Sequence, residues 1–387
     1  MARSMLCRTS VPFVSLLLLL AWLVLPAAAV DAAPSVWSVT PSPNTANDNV
    51  LNGVSCTSSV FCVAVGYHDT SKGVSKTLVE LWNGTAWSIV SSPDRGKSSN
   101  ELNAVSCKST TFCVAVGDYS SHGFDTLVEM WNGSHWSLTT SPEADLYTDL
   151  YGVSCTSTRF CEAVGYYTNT AMEGTLVETW NGTSWSITPS PNPSITATAY
   201  RGVNALNGVS CTSARFCEAA GYDNNSSNVA RSLVEKWNGS AWSVATTHDK
   251  GSGTNTLDGV SCKSPTFCVA VGDYASGGFF DTLVETWDGS SWSITASPNP
   301  SDDNYLYGAS CTSSSSCVAV GYYANPAVTQ TIVESWDGTG WSTTSSPDPS
   351  KGSFLRGVSC TTASHCVAVG DYSNGSVDQT LVETGSS

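Results

Sequence analysis

The chain has 387 residues, a formal net charge of -16 and only 12% charged residues. That balance excludes a nucleic-acid partner, which needs clustered Lys and Arg, and it equally excludes an anionic membrane surface. Abundant Gly, Ser and Thr instead suit a β-rich exported protein.

The chain opens with Arg3 and Arg8, followed by an apolar run from Val11 to Pro26 and then by Ala27-Ala28-Ala29-Val30. A basic start, an apolar core and small residues at the end form a secretory leader. The expected leader is 1–29, with cleavage as late as residue 32, leaving one domain over 30–387. The alternative is an uncleaved N-terminal membrane anchor, because the apolar stretch approaches spanning length. Cys7 precedes the apolar run, where a lipid-modified cysteine would not stand. The expected location is extracellular, with no membrane contact after cleavage.

Next comes an isolated Trp-containing segment, Val36-Trp37-Ser38-Val39-Thr40-Pro41, and then a unit of about fifty residues that recurs seven times. One copy reads GVSCTSTRFCEAVGYY, a variable stretch, then TLVETWNGTSWSIT. Each copy predicts four short strands. Strand A holds Gly-Val-Ser-Cys and strand B holds Phe-Cys-Val-Ala-Val-Gly. Strand C holds Thr-Leu-Val-Glu-x-Trp, and strand D holds Trp-Ser-Ile-Thr. Asn-Gly and Asp-Gly between C and D are hairpin signals, because tight turns need positive φ. No window after the leader has helical periodicity.

Every unit carries a C-x5-C pair: Cys56/Cys62, Cys107/Cys113, Cys155/Cys161, Cys211/Cys217, Cys262/Cys268, Cys311/Cys317 and Cys360/Cys366. Export makes these readable as seven local disulfides. The metal alternative needs four ligands per site. Each unit offers two Cys, and His68, His122, His135, His248 and His365 fall at unrelated repeat positions. No metal or cofactor is therefore expected.

Seven units of four antiparallel strands predict an all-β, seven-bladed β-propeller. The last unit ends at Thr380-Leu381-Val382-Glu383-Thr384 without a strand D, and the Trp37 segment supplies one. The N-terminal strand is thus expected to complete the last blade and close the ring, removing exposed edges. An open solenoid gives no reason for this complementary deficit.

The C–D turn carries Ser335-Trp336-Asp337-Gly338-Thr339-Gly340-Trp341 in one unit and Trp287-Asp288-Gly289-Ser290-Ser291-Trp292 in another. These resemble the Asp-box of bacterial neuraminidase-repeat propellers, roughly Ser-x-Asp-x-Gly-x-Thr-Trp on a C–D hairpin. Four units have Asn instead, at Asn83, Asn132, Asn181 and Asn238, and the spacing departs by a residue. In that family the box is a folding feature remote from the active site, so the resemblance implies architecture and not activity.

The A–B and C–D turns are short and uniform, whereas the B–C and D–A loops vary. Variable loops on a rigid scaffold usually carry binding residues, so the B–C/D–A face is the candidate site. Its candidate ligand-binding residues are Tyr147, Tyr151, Tyr200, Phe279, Phe280, Tyr305, Tyr307 and Phe354, whose rings suit stacking on sugars or anchoring a protein. Asp118 and Asp273 recur beside Tyr119 and Tyr274, with Asp125 and Asp281 nearby. They suit paired-carboxylate chemistry, Ca²⁺ ligation or simple turn capping. The strand C glutamates (Glu80, Glu129, Glu178, Glu235, Glu285, Glu334, Glu383) repeat in every unit and are expected to hydrogen-bond a neighbouring turn or blade. Arg159 with Glu162, and Arg215 with Glu218, are expected to compensate charge between adjacent blades.

The repeats also pair at a longer period. Units two and five share Ser-Cys-Lys-Ser and Gly-Asp-Tyr, and units three and six share Leu-Tyr-Gly and Gly-Tyr-Tyr. Units one and four share Leu-Asn-Gly-Val-Ser-Cys, so a three-unit block has been duplicated and a seventh added. The expected function is binding or scaffolding by a monomer, with a glycan or an extracellular protein as partner. The alternative is a glycoside hydrolase or lyase on the same fold. A sialidase would need an arginine cluster, and the six arginines beyond the leader are scattered.

Overall fold

The computed structural model describes residues 33–120, 123–142, 146–170, 172–193, 202–224 and 227–386. The expected leader and the candidate Tyr200 lie outside the described residues. Within them every element is a strand, and the strands form seven antiparallel four-stranded sheets. Blade 1 comprises strand A (Asn49–Ser58), B (Phe61–Asp69), C (Ser75–Trp82) and D (Trp87–Ile89). The inner A strands of blades 2 to 7 are Asn100–Ser109, Tyr147–Ser157, Asn204–Ser213, Asn255–Ser264, Asp303–Ser313 and Ser353–Thr362.

The ring closes through the N-terminus, as the sequence predicts. Strand Val36–Val39 pairs with Asp378–Ser386 as strand D of blade 7. Trp37 lies opposite Gly385, and a Cβ there would sit 2.9 Å from the Trp37 ring. In the other blades this position is a second Trp, and the two rings lie 5.7–5.9 Å apart.

The Ser and Cys of the Gly-Val-Ser-Cys frame join neighbouring blades. The Ser Oγ accepts the backbone N–H of the Cys one blade away, from Ser55–Cys107 at 2.9 Å round to Ser359–Cys56 at 3.0 Å. Strand A carries a bulge just before the Gly, and the Gly of strand B opposes it. A Cβ on Gly66 would lie 2.0 Å from the Val50 carbonyl, so only Gly permits that approach.

The cysteines pair as the C-x5-C spacing predicts. Each bond runs directly across strands A and B: Cys56–Cys62, Cys107–Cys113, Cys155–Cys161, Cys211–Cys217, Cys262–Cys268, Cys311–Cys317 and Cys360–Cys366, all with Cα atoms 4.0 Å apart. The strand B member of each pair is fully buried: Cys62, Cys113, Cys161, Cys217, Cys268, Cys317 and Cys366. These seven side chains pack into the apolar layers and present nothing to a ligand. They are therefore crosslinks of the scaffold and no part of a binding surface, because strand B is covered on both faces within the ring.

The D–A loops strap neighbouring blades. In the first, Ser42 Oγ donates to Glu80 at 2.6 Å while Asn44 Oδ1 accepts from Thr380 N of blade 7 at 2.8 Å. Equivalent serines donate to Glu129, Glu178, Glu235, Glu334 and Glu383. At Glu285 the donor is the His248 backbone N–H. The repeated glutamates are therefore blade-to-blade acceptors, all fully buried.

The C–D hairpins explain why Asn and Asp interchange. Asn83 Oδ1 accepts from Thr85 N, Thr85 Oγ1 and Ala86 N at 2.7–3.0 Å. Asp337 Oδ1 makes the same three contacts with Thr339 and Gly340. The turn uses only an acceptor oxygen, which both residues provide.

Arg159 and Glu162 do not compensate one another. Among the described residues the ion pairs are Lys76–Asp94, Arg231–Asp223 and Arg356–Asp371. The Arg159 stem instead packs on Gly182 of the C–D turn, and buried Glu162 accepts from Thr179 Oγ1 at 2.9 Å. A guanidinium on an exposed turn keeps its solvent, while strand B turns position 162 into the blade interface.

Candidate functional site

The inner strands enclose an axial cavity of about 490 Å³. Its wall is three tiers of residues. The lower tiers are the Gly and Val of the repeated frame, with Ala104 and Ala309 as exceptions. The upper tier is the bulge residue, which varies: Asn52, Asn103, Tyr151, Asn207, Asp258, Tyr307 and Arg356. A bulge inserts one extra residue and re-aims its side chain, which here turns a strand position into a channel lining.

Several of the seven bulge residues have structural tasks. Asn52, Asn103 and Asn207 donate to the Leu102, Leu150 and Leu257 carbonyls of the next blade at 3.0–3.1 Å. Asn103 and Asn207 also donate to Asp149 and Asp258 at 3.1 and 3.0 Å. Arg356 Nε donates to Asp371 Oδ1 at 2.7 Å within blade 7. Tyr151 hydrogen-bonds to Tyr166 and Asp149, and Tyr307 to Tyr322, each within its own blade.

Around the bulge ring lies the mouth on the B–C/D–A side. One arc is aromatic. Phe280 and Tyr305 have centroids 5.4 Å apart, Tyr305 and Tyr322 4.8 Å, Tyr307 and Tyr322 5.7 Å, and Tyr322 and Phe354 4.9 Å. The other arc is acidic, with Glu101, Asp118 and Asp149 beside Tyr151 and Tyr166, whose rings stack at 5.6 Å. Burial and the nearby Glu101 push Asp118 up to about 7. Burial and the Asp118 carboxylate push Asp149 well above the usual range, against an opposing hydrogen bond from Tyr151. Burial and Asp273 raise Asp258 to about 8, although Asn207 opposes this. Burial raises Asp273 itself to about 6, with Thr256 Oγ1 donating to it at 3.2 Å. Burial thus holds several carboxyls at the mouth above the ordinary carboxylate range.

The structure brings together Tyr151, Tyr305, Tyr307, Phe354, Phe280, Asp118 and Asp273 at this mouth. All seven occupy strand positions: Tyr151, Tyr305, Tyr307 and Phe354 belong to inner strands, Asp118 and Asp273 to strand B, and Phe280 to strand C. Tyr147 and Phe279 lie farther out and are exposed. Gly123 packs against the Tyr147 ring, and a Cβ there would sit 2.8 Å from it. Asp281 accepts from Tyr274 Oη at 2.9 Å, which gives it a local structural task. Sequence reasoning missed Tyr166, Tyr322 and Asp149. For the two tyrosines a signal existed in the strand B position after the repeated Gly, which is either Tyr or Asp in every unit; Asp149 stands at a position with no such pattern. Among the described residues no group of three or more His, Cys, Asp or Glu is disposed to hold a metal ion.

No family model matches the chain, and no curated protein does, so there is no sequence-level match to neuraminidase-repeat propellers. Solved structures do resemble it in fold. YCF48 bound to D1 peptide superposes with a TM-score of 0.57 at 11% identity, covering 94% of this chain and 100% of that one. The GH74 xyloglucanase from Xanthomonas campestris gives 0.53 at 10% identity over 90% of this chain and 55% of that one. A PL25 ulvan lyase bound to an oligosaccharide gives 0.53 at 8% identity, with 87% and 94% covered. At these identities the likeness is one of fold, and it places the chain beside propellers that bind a peptide or act on polysaccharides.

Proposed function

We propose that the protein is an extracellular binding propeller whose ligand, a glycan, docks over the channel mouth on the B–C/D–A face. The observation that carries this reading is the aromatic arc from Phe280 through Tyr305 and Tyr322 to Phe354, which crosses three blades beside buried carboxyls. Aromatic faces stack on the C–H faces of a sugar, and carboxyl and amide oxygens accept from its hydroxyls. The leader and the seven disulfides support an oxidising, extracellular setting. A glycan array probed with the secreted protein and with Tyr322→Ala tests the reading. Wild-type signal that the variant loses supports it. Absence of glycan signal together with capture of an extracellular protein on the same face replaces it.

A second reading is catalytic. The cluster of Glu101, Asp118 and Asp149, all raised by burial, with Glu101 further raising Asp118 and Asp118 further raising Asp149, supports acid–base work on a glycosidic bond. Turnover of a chromogenic glycoside or unsaturated-uronate release, abolished by Asp118→Asn, would make the protein an enzyme.

A further inference from the structure

The duplicated three-blade block reaches the channel mouth. A pair of tyrosines, one at the bulge and one after the strand B glycine, occurs in blades 3 and 6 alone. Tyr151 and Tyr166 have centroids 5.6 Å apart, and Tyr307 and Tyr322 5.7 Å. In blades 1 and 4 the strand B tyrosine recurs, but the bulge residue is an asparagine tied to the next blade. Each tyrosine pair also stands beside an aspartate of the preceding blade. Burial raises Tyr166, with Asp149, Glu173 and then Asp118 of blade 2 adding to it, and burial raises Tyr322, with Asp273 of blade 5 adding to it. Both aspartates are buried strand B residues.

We propose that the mouth holds two quasi-equivalent sugar subsites, Asp118–Tyr151–Tyr166 and Asp273–Tyr307–Tyr322, each taking one uncharged glycosyl unit. This rests on the glycan reading and adds its stoichiometry and charge class. An aromatic pair offers a stacking platform, and the aspartate beside it offers an acceptor for adjacent hydroxyls. An anionic sugar is disfavoured, because the single basic side chain lining the channel among the described residues, Arg356, is committed to Asp371. The subsites differ in their surroundings. Asp149 adjoins the first, while Tyr305 and Phe354 adjoin the second. The second should therefore bind more tightly through stacking, and two unequal events are expected.

The test is isothermal titration of the full secreted protein with cellotriose, xylotriose and mannotriose, and with trigalacturonate as the charged counterpart. The expected result is two binding events for the best neutral trisaccharide. Asp118→Asn should weaken one event and Asp273→Asn the other, each about tenfold or more, with melting temperatures unchanged. Trigalacturonate should bind at least about tenfold more weakly, since like charges repel in a partly desolvated mouth. A single event abolished by only one variant, or two events indifferent to both, overturns the two-subsite inference while leaving the glycan reading standing. Tighter binding of trigalacturonate overturns the charge class. Silence with every sugar overturns the glycan reading and this inference together. Should Asp118→Asn unfold, Tyr166→Leu reads the same subsite.

Discussion

Ser359 Oγ accepts the backbone N–H of Cys56 at 3.0 Å, joining blade 7 to blade 1 across 303 positions of sequence. The same bond recurs at every blade boundary, so the ring is held by one repeated contact as well as by its apolar layers. Ser359→Ala leaves a part-buried N–H without a partner and should cost about 1 to 2 kcal/mol. Ser88→Ala, at an exposed strand D position, should cost almost nothing. Urea denaturation measures both; equal midpoints for the two variants would contradict the role of the bond.

The glutamate ring predicts stability that falls as pH rises. Burial pushes Glu80, Glu178 and Glu285 to about 7 and Glu129, Glu235, Glu334 and Glu383 to about 8, with hydrogen bonds opposing this in each case. The ordinary value is 4.5. The folded state therefore holds protons that the unfolded chain has released between pH 4.5 and about 8. The stabilisation is complete below pH 4.5 and is lost as pH rises through 7 to 8. One such group is worth about 3 to 5 kcal/mol over that window, and the seven do not add. Melting temperature should be higher at about pH 5 than at about pH 8.5, and Glu178→Gln should flatten the profile. A flat profile in the unmutated protein would refute the assignment.

The seven disulfides each close a short loop, with a sequence separation of 6. A Cys56→Ala/Cys62→Ala double variant should lose about 2 kcal/mol in the chain-entropy picture. Thiol titration of the denatured, unreduced secreted protein should find no free cysteine. Fourteen reactive thiols would overturn the pairing.

Much of this is legible in the sequence because it repeats. Cys56 and Cys62 are local in sequence, Trp37 fills an evident gap, and a glutamate present in every unit must be scaffold. Of the channel lining, Tyr151 and Tyr307 stand out as candidates, but the ring of bulge residues as a whole is not legible, for a specific reason. Asn52 and its equivalents precede the Gly-Val-Ser-Cys segment with which strand A is expected to begin, whereas the strand starts at Asn49. The bulge at Asn52 then breaks the two-residue alternation from which inward and outward side chains are read. Asp118 and Asp273 read as loop residues in the sequence, yet each lies in strand B opposite Glu101 and Thr256. Such cross-strand registers depend on that same bulge.

Arg356 and Asp371 offer a test of the mouth's electrostatics. Asp371 is almost fully buried, and Arg356 is its ion-pair partner. Arg356→Met removes the partner and leaves a buried carboxyl, which should destabilise the protein by about 2 to 3 kcal/mol. Arg356→Met combined with Asp371→Leu should recover most of that, since the burden is the orphaned carboxyl and not a missing attraction. Chemical denaturation of the two singles and the double gives the coupling. Additive losses would show that the pair is not the unit that matters.

Trp37 predicts how the ring fails. Its strand meets blade 7 through the Thr40 N–H to the Val382 carbonyl at 2.8 Å and the Ser35 N–H to the Ser386 carbonyl at 3.1 Å. Its ring covers Gly385 and is itself buried. Trp37→Ala should cost about 3 kcal/mol, the usual scale for emptying a buried aromatic site. Removing residues 33–41 should do more than destabilise. It strips strand D from blade 7 and exposes the edge of strand C, whose unpaired groups invite association. The truncated protein should therefore elute as oligomers in size-exclusion chromatography with light scattering, and a synthetic peptide spanning 33–42 should restore the monomer by re-adding the strand. A truncated protein that stays monomeric and melts as the full chain does would mean that the N-terminal strand is not what closes the ring.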